Sequence, residues 1–90
     1  MRLFRRPAAG LPPALRLLSR SGCHLCDEMR AVVVPLVDRL GGSLETVDVD
    51  SDPALAARWG NEIPVLLDRE GRVIAKARDG ADRIARRLGA

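Results

Sequence analysis

Two cysteines separated by two residues, Cys23-His24-Leu25-Cys26, form the one constellation in this sequence whose residue types and spacing suggest covalent chemistry. The reactive form of cysteine is the thiolate, and two thiols one helical turn apart can close a disulfide of normal geometry. The pair falls between a predicted strand and a predicted helix, so Cys23 meets the unpaired N–H groups and positive dipole end of a helix start, which favour a thiolate. Arg20, three residues earlier, and His24, next door, add positive potential. Thiol–disulfide exchange needs this arrangement: an exposed attacker of low pKa and a more sheltered thiol to resolve the mixed disulfide. A lone histidine is weak evidence for proton transfer, so the expected effect of His24 is electrostatic, on Cys23.

Other chemistries fit less well. A structural zinc site needs four ligands, and beyond the two cysteines the chain offers one histidine, His24, inside the same loop. No metal site is therefore expected. A metallochaperone also places Cys-x-x-Cys between strand and helix. Its usual order is βαββαβ, whereas this chain ends on a helix after a hairpin, and it stays open as a rival. Asp48, Asp50 and Asp52 mimic the opening of a calcium loop, but Pro53 and Trp59 stand where that loop requires glycine and glutamate. These aspartates read instead as a strand end running into a helix cap.

The elements that must position the pair follow from punctuation and periodicity. Ala14–Ser19 is a short apolar run of buried-strand type. A helical stripe follows, with Leu25, Met29, Val32, Leu36 and Leu40 at spacings of three and four, widened by Val33 and Val37. Gly41-Gly42 ends it, and Pro35 inside it predicts a kink. Leu44–Val49 reads as a second strand. Asp52 and Pro53 read as the N-cap and first position of a short helix ending at Gly60. Ile63–Leu67 and Arg72–Ala77 form a hairpin about Arg69-Glu70-Gly71, and a last helix runs from Ala81 to Leu88. Asp79-Gly80-Ala81-Asp82 before it resembles a capping box. The order βαβαββα predicts an α/β fold with a mixed four-stranded sheet and helices on both faces. In such a fold Ile63-Pro64, opening the third strand, lies opposite the first helix's N-terminus. A cis bond there would turn the Ile63 backbone outward beside Cys23, where it could pair with an extended substrate.

Composition bounds the rest. Ninety residues allow one domain, and no apolar run approaches the ~18 residues of a membrane helix. Two cysteines cannot build the disulfide framework of a small secreted fold. The net charge of +3 divides into +5 over residues 1–20, −6 over 21–68 and +4 over 69–90. That is not the single basic stripe of a nucleic-acid binder, and aromatic residues number only Phe4 and Trp59. Residues 1–13, rich in Arg, Pro, Ala and Gly, read as a flexible extension, with residues 14–90 as the domain. Prolines and arginines break up any signal-peptide core there, so a cytoplasmic location is expected.

With these residues in view, the stretch 14–88 resembles the glutaredoxin-like members of the thioredoxin superfamily. It is similar to a small bacterial group bearing Cys-His-Leu-Cys-Asp-Glu, here Cys23 to Glu28. VDVDSDPAL, ARWGNEIPVLLD and EGRV fall where that group has similar text. The resemblance implies a thioredoxin-like fold, Cys23 as nucleophile, Cys26 as resolving thiol, Pro64 as the cis-proline, and Arg20 as the basic residue three before the first cysteine. Arg20, His24, Ile63 and Pro64 are then the expected substrate-binding residues. Two departures bear on glutathione. Glu62 stands where glutaredoxins place threonine, and Asp79-Gly80 with Asp82 stand in for the Gly-Gly pair and acid that hold the tripeptide's ends. An acid at position 62 disfavours an anionic ligand. Thioredoxins carry a tryptophan just before the pair, but Ser21-Gly22 occupies that place here, and Trp59 reads as core.

The expectation is a monomeric thiol–disulfide oxidoreductase or electron carrier without a bound cofactor, with glutathione as a candidate co-substrate. Its partners would be a disulfide-containing protein or a glutathione mixed disulfide, and a cellular thiol reductant. Neither nucleic acid nor membrane is an expected partner. Two alternatives use the same residues differently: a metal or iron–sulfur carrier, and a non-catalytic interaction domain of the same fold.

Overall fold

The computed structural model describes residues 11–77 and 79–89. Residues 1–10, most of the segment read as an extension, lie outside this range. The elements run β1 (Ala14–Ser19), α1 (His24–Arg39), β2 (Ser43–Asp48), a 3₁₀ turn (Val49–Ser51), α2 (Pro53–Trp59), β3 (Val65–Leu67), β4 (Val73–Lys76) and α3 (Ala81–Leu88). The sheet order is β2-β1-β3-β4. β1 is parallel to β2 and antiparallel to β3, and β3 is antiparallel to β4. The mixed four-stranded α/β architecture expected from the element order is present.

Alternation along β1 builds two cores. Leu15 and Leu17 face one side, where Met29, Val33, Leu36 and Val37 of α1 and Ile84 of α3 pack with Leu66 and Ala75. Leu18 faces the other side, with Val49, Val65 and Leu67, covered by Leu55 and Trp59 of α2. Leu17 is fully buried, and burying a leucine contributes roughly 1.5–3 kcal/mol. As a strand covered on both faces, β1 fixes where its C-terminal end, and so the dithiol loop, must lie.

Several boundaries and faces differ from the sequence reading. β2 ends one residue early, because Val49 turns into the core at 0% exposure and Asp48 Oδ1 caps the turn by accepting from the Asp50 N–H at 2.9 Å. β3 begins at Val65, so Ile63 and Pro64 belong to the loop ahead of it. β4 spans Val73–Lys76 and carries a bulge, with Leu66 opposite Ala75 but Leu67 opposite Val73. The extra residue lets adjacent Ile74 and Ala75 both contribute to the α1–α3 core.

The inward stripe of α1 is Cys26, Met29, Val33, Leu36 and Val37, while Leu25 is 42% exposed. Cys26 fills the first core position that the spacing rule gave to Leu25. The helix continues past Pro35, whose side is exposed, so water can satisfy the carbonyl that proline leaves unpaired. α2 follows its predicted start, with Asp52 Oδ1 accepting from the Ala54 N–H at 2.9 Å. α3 does not use a capping box. Gly80 is its N-cap without a side-chain bond, and Asp79 instead accepts from the Lys76 N–H at 2.8 Å and from Arg83 at 3.1 Å.

Two contacts reach upstream of Ala14. The Ser43 N–H donates to the Pro13 carbonyl at 2.8 Å, and Arg69 donates to the Pro12 carbonyl at 3.0 Å. Among the described residues, no helix is long and apolar enough to cross a membrane.

Candidate active site

The site forms where β1 ends and β3 begins. Leu18 pairs with Val65, so Ser19 and Arg20 leave β1 at the same end of the sheet where Ile63 and Pro64 lead into β3. The parallel partner β2 reaches the same end, with Ser19 opposite Asp48. Three chain segments therefore converge at one edge of the sheet: the turn 20–23, the 3₁₀ turn 49–51 and the loop 60–64.

Gly22, at φ +76°, supplies the left-handed step that delivers Cys23 to the helix start. Cys23 is the N-cap of α1, its N–H donates to the Arg20 carbonyl at 3.2 Å, and its Sγ accepts from the Cys26 N–H at 3.1 Å. Cys23 and Cys26 are joined in a disulfide, with Cα atoms 5.2 Å apart. Their environments are unequal. Cys23 is half-buried, whereas Cys26 is at 0% exposure at the head of the α1 stripe. The Ile63–Pro64 bond is cis, the isomer that the cysteine context predicts. Pro64 is fully buried and Ile63 packs partly into the α2-side core.

His24 and Arg20 are committed to other residues. His24 Nε2 lies 2.8 Å from Glu28 Oε2 on the exposed surface of α1. Arg20 turns away from the sulfurs: Nε and Nη2 donate to Asp50 Oδ2 and Oδ1 at 2.8 and 2.9 Å, and Nη1 donates to the Gly60 carbonyl at 3.3 Å. The hydrogen bonds and charge of Asp50 raise the Arg20 pKa, and those of Arg20 hold the Asp50 carboxyl below its ordinary range. The positive potential assigned to Arg20 from its position is thus largely compensated.

An open groove of about 480 Å³ runs beside Ile63, lined also by Asn61, Glu62, Lys76, Asp79 and Arg83. Lys76 Nζ donates to Glu62 Oε1 at 2.5 Å, so the acid at position 62 faces the groove with its counter-charge attached. That removes much of the electrostatic argument against an anionic ligand. Asp79 anchors the groove's far wall. The Lys76 N–H lowers its pKa first, burial opposes, Arg83 and Arg87 add to the lowering, and the net shift is downward. Among the described residues, no three His, Cys, Asp or Glu side chains converge to hold a metal ion.

The described contacts join Cys23 to Cys26 and Arg20 to Asp50 and Gly60, at the end of the sheet where Ile63 and Pro64 lead into β3, while His24 lies exposed against Glu28. Sequence reasoning missed Asp50, Gly60 and Lys76. The signal for Asp50 was the βαβ unit itself: parallel strands ending level place residues 20 and 50 just past the same rung.

The chain is similar to a domain family and to several proteins of known sequence or structure. Residues 14–89 match the glutaredoxin-like domain family (DUF836). The crystal structure of a structural-genomics target from X. campestris superposes with a TM-score of 0.72 at 33% identity, covering 83% of this chain and 95% of that one. The solution structure of a Nitrosomonas europaea protein gives a TM-score of 0.72 at 26% identity, covering 96% of each chain. Uncharacterized proteins of Mycobacterium tuberculosis and Mycobacterium bovis are 35% identical over 60 residues, 61% of this chain. The match spans 62% of those relatives' own length.

Proposed function

The chain belongs to the glutaredoxin-like domain family (DUF836), and we propose that it is a dithiol–disulfide oxidoreductase or electron carrier acting through Cys23 and Cys26. The observation that carries this reading is the unequal burial of a closed cysteine pair at a helix start: Cys26 fully buried, Cys23 half-buried and reachable.

In the dithiol form, the Cys23 thiolate takes up the Cys26 N–H bond and the helix-end dipole, both of which favour the charged form. It attacks one sulfur of a substrate disulfide. A Cys23–substrate disulfide forms, the substrate S–S bond breaks, and the departing thiolate takes a proton from water. Cys26 then loses its proton and attacks Cys23 Sγ, releasing the second substrate thiol and closing the intramolecular disulfide. The substrate gains two electrons and two protons, and the protein dithiol loses them. A cellular thiol reductant restores the dithiol, which places the cycle in a reducing compartment such as the cytoplasm. The open groove beside Ile63 supports an extended protein segment as substrate, and a glutathione mixed disulfide is the alternative small substrate.

The test is a redox titration in glutathione buffers followed by intact mass. A reversible loss of two hydrogens with a midpoint of about −200 to −270 mV is the expected result. Absence of a Cys23–Cys26 disulfide across that range overturns the reading.

A further inference from the structure

We infer that Arg20 and Asp50 are positioning residues that brace the dithiol turn against the loop leading to Pro64, and that Arg20 is not a substrate contact. The inference rests on the oxidoreductase reading above.

Arg20 belongs to the turn that presents Cys23, since its carbonyl accepts the Cys23 N–H at 3.2 Å. Its side chain fastens that turn to two other segments. The guanidinium meets Asp50 with two parallel bonds, a fork geometry that fixes orientation as well as distance. Asp50 is itself held by the Asp48 cap on the 3₁₀ turn. The third guanidinium bond reaches the carbonyl of Gly60, the C-cap of α2. From there the chain passes through Glu62, whose N–H donates to the Trp59 carbonyl at 2.8 Å, into the Ile63–Pro64 bond. One side chain therefore ties Cys23 to the backbone beside which substrate lies.

The surroundings of Gly60 show how closely Arg20 approaches that segment. Its backbone, at φ −55° and ψ −31°, suits any residue. A Cβ there would lie 3.2 Å from Arg20 Nη2 and 2.5 Å from the Ala56 carbonyl oxygen. The Ala56 carbonyl is what requires glycine here, and the tip of Arg20 lies close against the same position. Three of the five guanidinium N–H donors are bonded and the charge is paired with Asp50, so Arg20 offers a substrate anion two N–H groups and a largely compensated charge.

The experiment follows reduction of two probe disulfides by the pre-reduced protein, neutral 4,4′-dithiodipyridine and dianionic 5,5′-dithiobis(2-nitrobenzoate), in Arg20→Gln, Asp50→Asn and the double variant. The brace predicts about a tenfold loss of the second-order rate constant for both probes in each single variant. It also predicts that the double variant is no worse than the singles. Iodoacetamide alkylation of Cys23 against pH gives a readout that simple loosening would not move. Its midpoint rises in Arg20→Gln, which leaves a bare carboxylate, and falls in Asp50→Asn, which leaves a bare cation. Arg20→Lys restores the midpoint but not the rate.

If Arg20→Gln slows only the dianionic probe while Asp50→Asn keeps the wild-type rate, Arg20 is a substrate contact and the inference fails. Unchanged rates in both variants sink it as well. Arg20 and Asp50 are partly exposed (38% and 51%), so the fold is expected to survive. Should Arg20→Gln not fold, Arg20→Lys and Asp50→Asn carry the same comparison. Failure of the underlying reading looks different: the wild type then reduces neither probe, or Cys23→Ser still does.

Discussion

The two ends of the sheet solve different problems with the same residue types. At the β3–β4 turn, Asp68 accepts from the backbone N–H groups of Glu70 and Arg72 at 2.9 and 2.8 Å and from Arg72 Nε at 3.1 Å. Every partner lies within four residues. At the dithiol end, Arg20 reaches Asp50 across thirty residues and Gly60 across forty, and Lys76 reaches Glu62 across fourteen. Arg69 of the β3–β4 turn does reach the Pro12 carbonyl across 57 residues, but the carboxylate that holds the turn is satisfied locally. A site assembled from several segments needs ties between them, and those ties control relative position more than net stability, since exposed ion pairs contribute little.

The contrast can be broken or sharpened by mutation. The largest effect belongs to the sulfurs. Cys23→Ser lowers disulfide exchange at least about a thousandfold, and Cys26→Ser accumulates a mixed disulfide detectable by intact mass. A Cys23→Ser protein that still turns over would remove the functional meaning of the dithiol end altogether.

Next is Asp68→Ala. Its carboxyl is raised by burial and lowered more strongly by the bonds from Arg72 and Glu70, for a net downward shift. Losing an acceptor that satisfies several donors costs about 1–3 kcal/mol in denaturant unfolding. Exchange rates should stay within about twofold of wild type, because nothing at that turn touches the site. A matching loss of activity at temperatures where the variant is folded would show that the two ends are not separable.

Asp79 lies between the extremes, bonding both the end of β4 and α3. Its pKa is lowered from 3.8, so its stabilisation is complete above the ordinary aspartate range and is lost below it, as pH falls through the lowered folded-state value. Asp79→Asn is therefore expected to be about 1 kcal/mol less stable at pH 7, with the gap to wild type narrowing steadily as pH falls toward 2. Parallel unfolding curves with a constant offset from pH 7 to 2 would contradict this.

The smallest effect is that of Lys76→Met. Both partners of its ion pair are more than two-fifths exposed, so stability should change by under about 0.5 kcal/mol. Glu62 is left uncompensated beside the groove, and reduction of the dianionic probe should slow about two- to threefold relative to the neutral one. An equal change for both probes would mean that substrate does not pass Glu62.

The sequence by itself determined the order of elements, the placement of Cys23 at a helix start and the pairing of a proline with that site. Each is a matter of local spacing: alternation in ALRLLS, an Asp-Pro helix opening, a Cys-x-x-Cys after Gly. It also indicated the βαβ unit, and through it the sheet end where the site lies. Tertiary structure decided which way the helix stripe turned, burying Cys26 and leaving Leu25 outside. It also decided that Arg20 would be held by Asp50 and that the acid at position 62 would carry Lys76 with it. Nor could local pattern show that Asp79 would bond β4 and not cap α3. Spacing rules act over a few residues, whereas these pairings depend on strand register and on which ends of the sheet coincide.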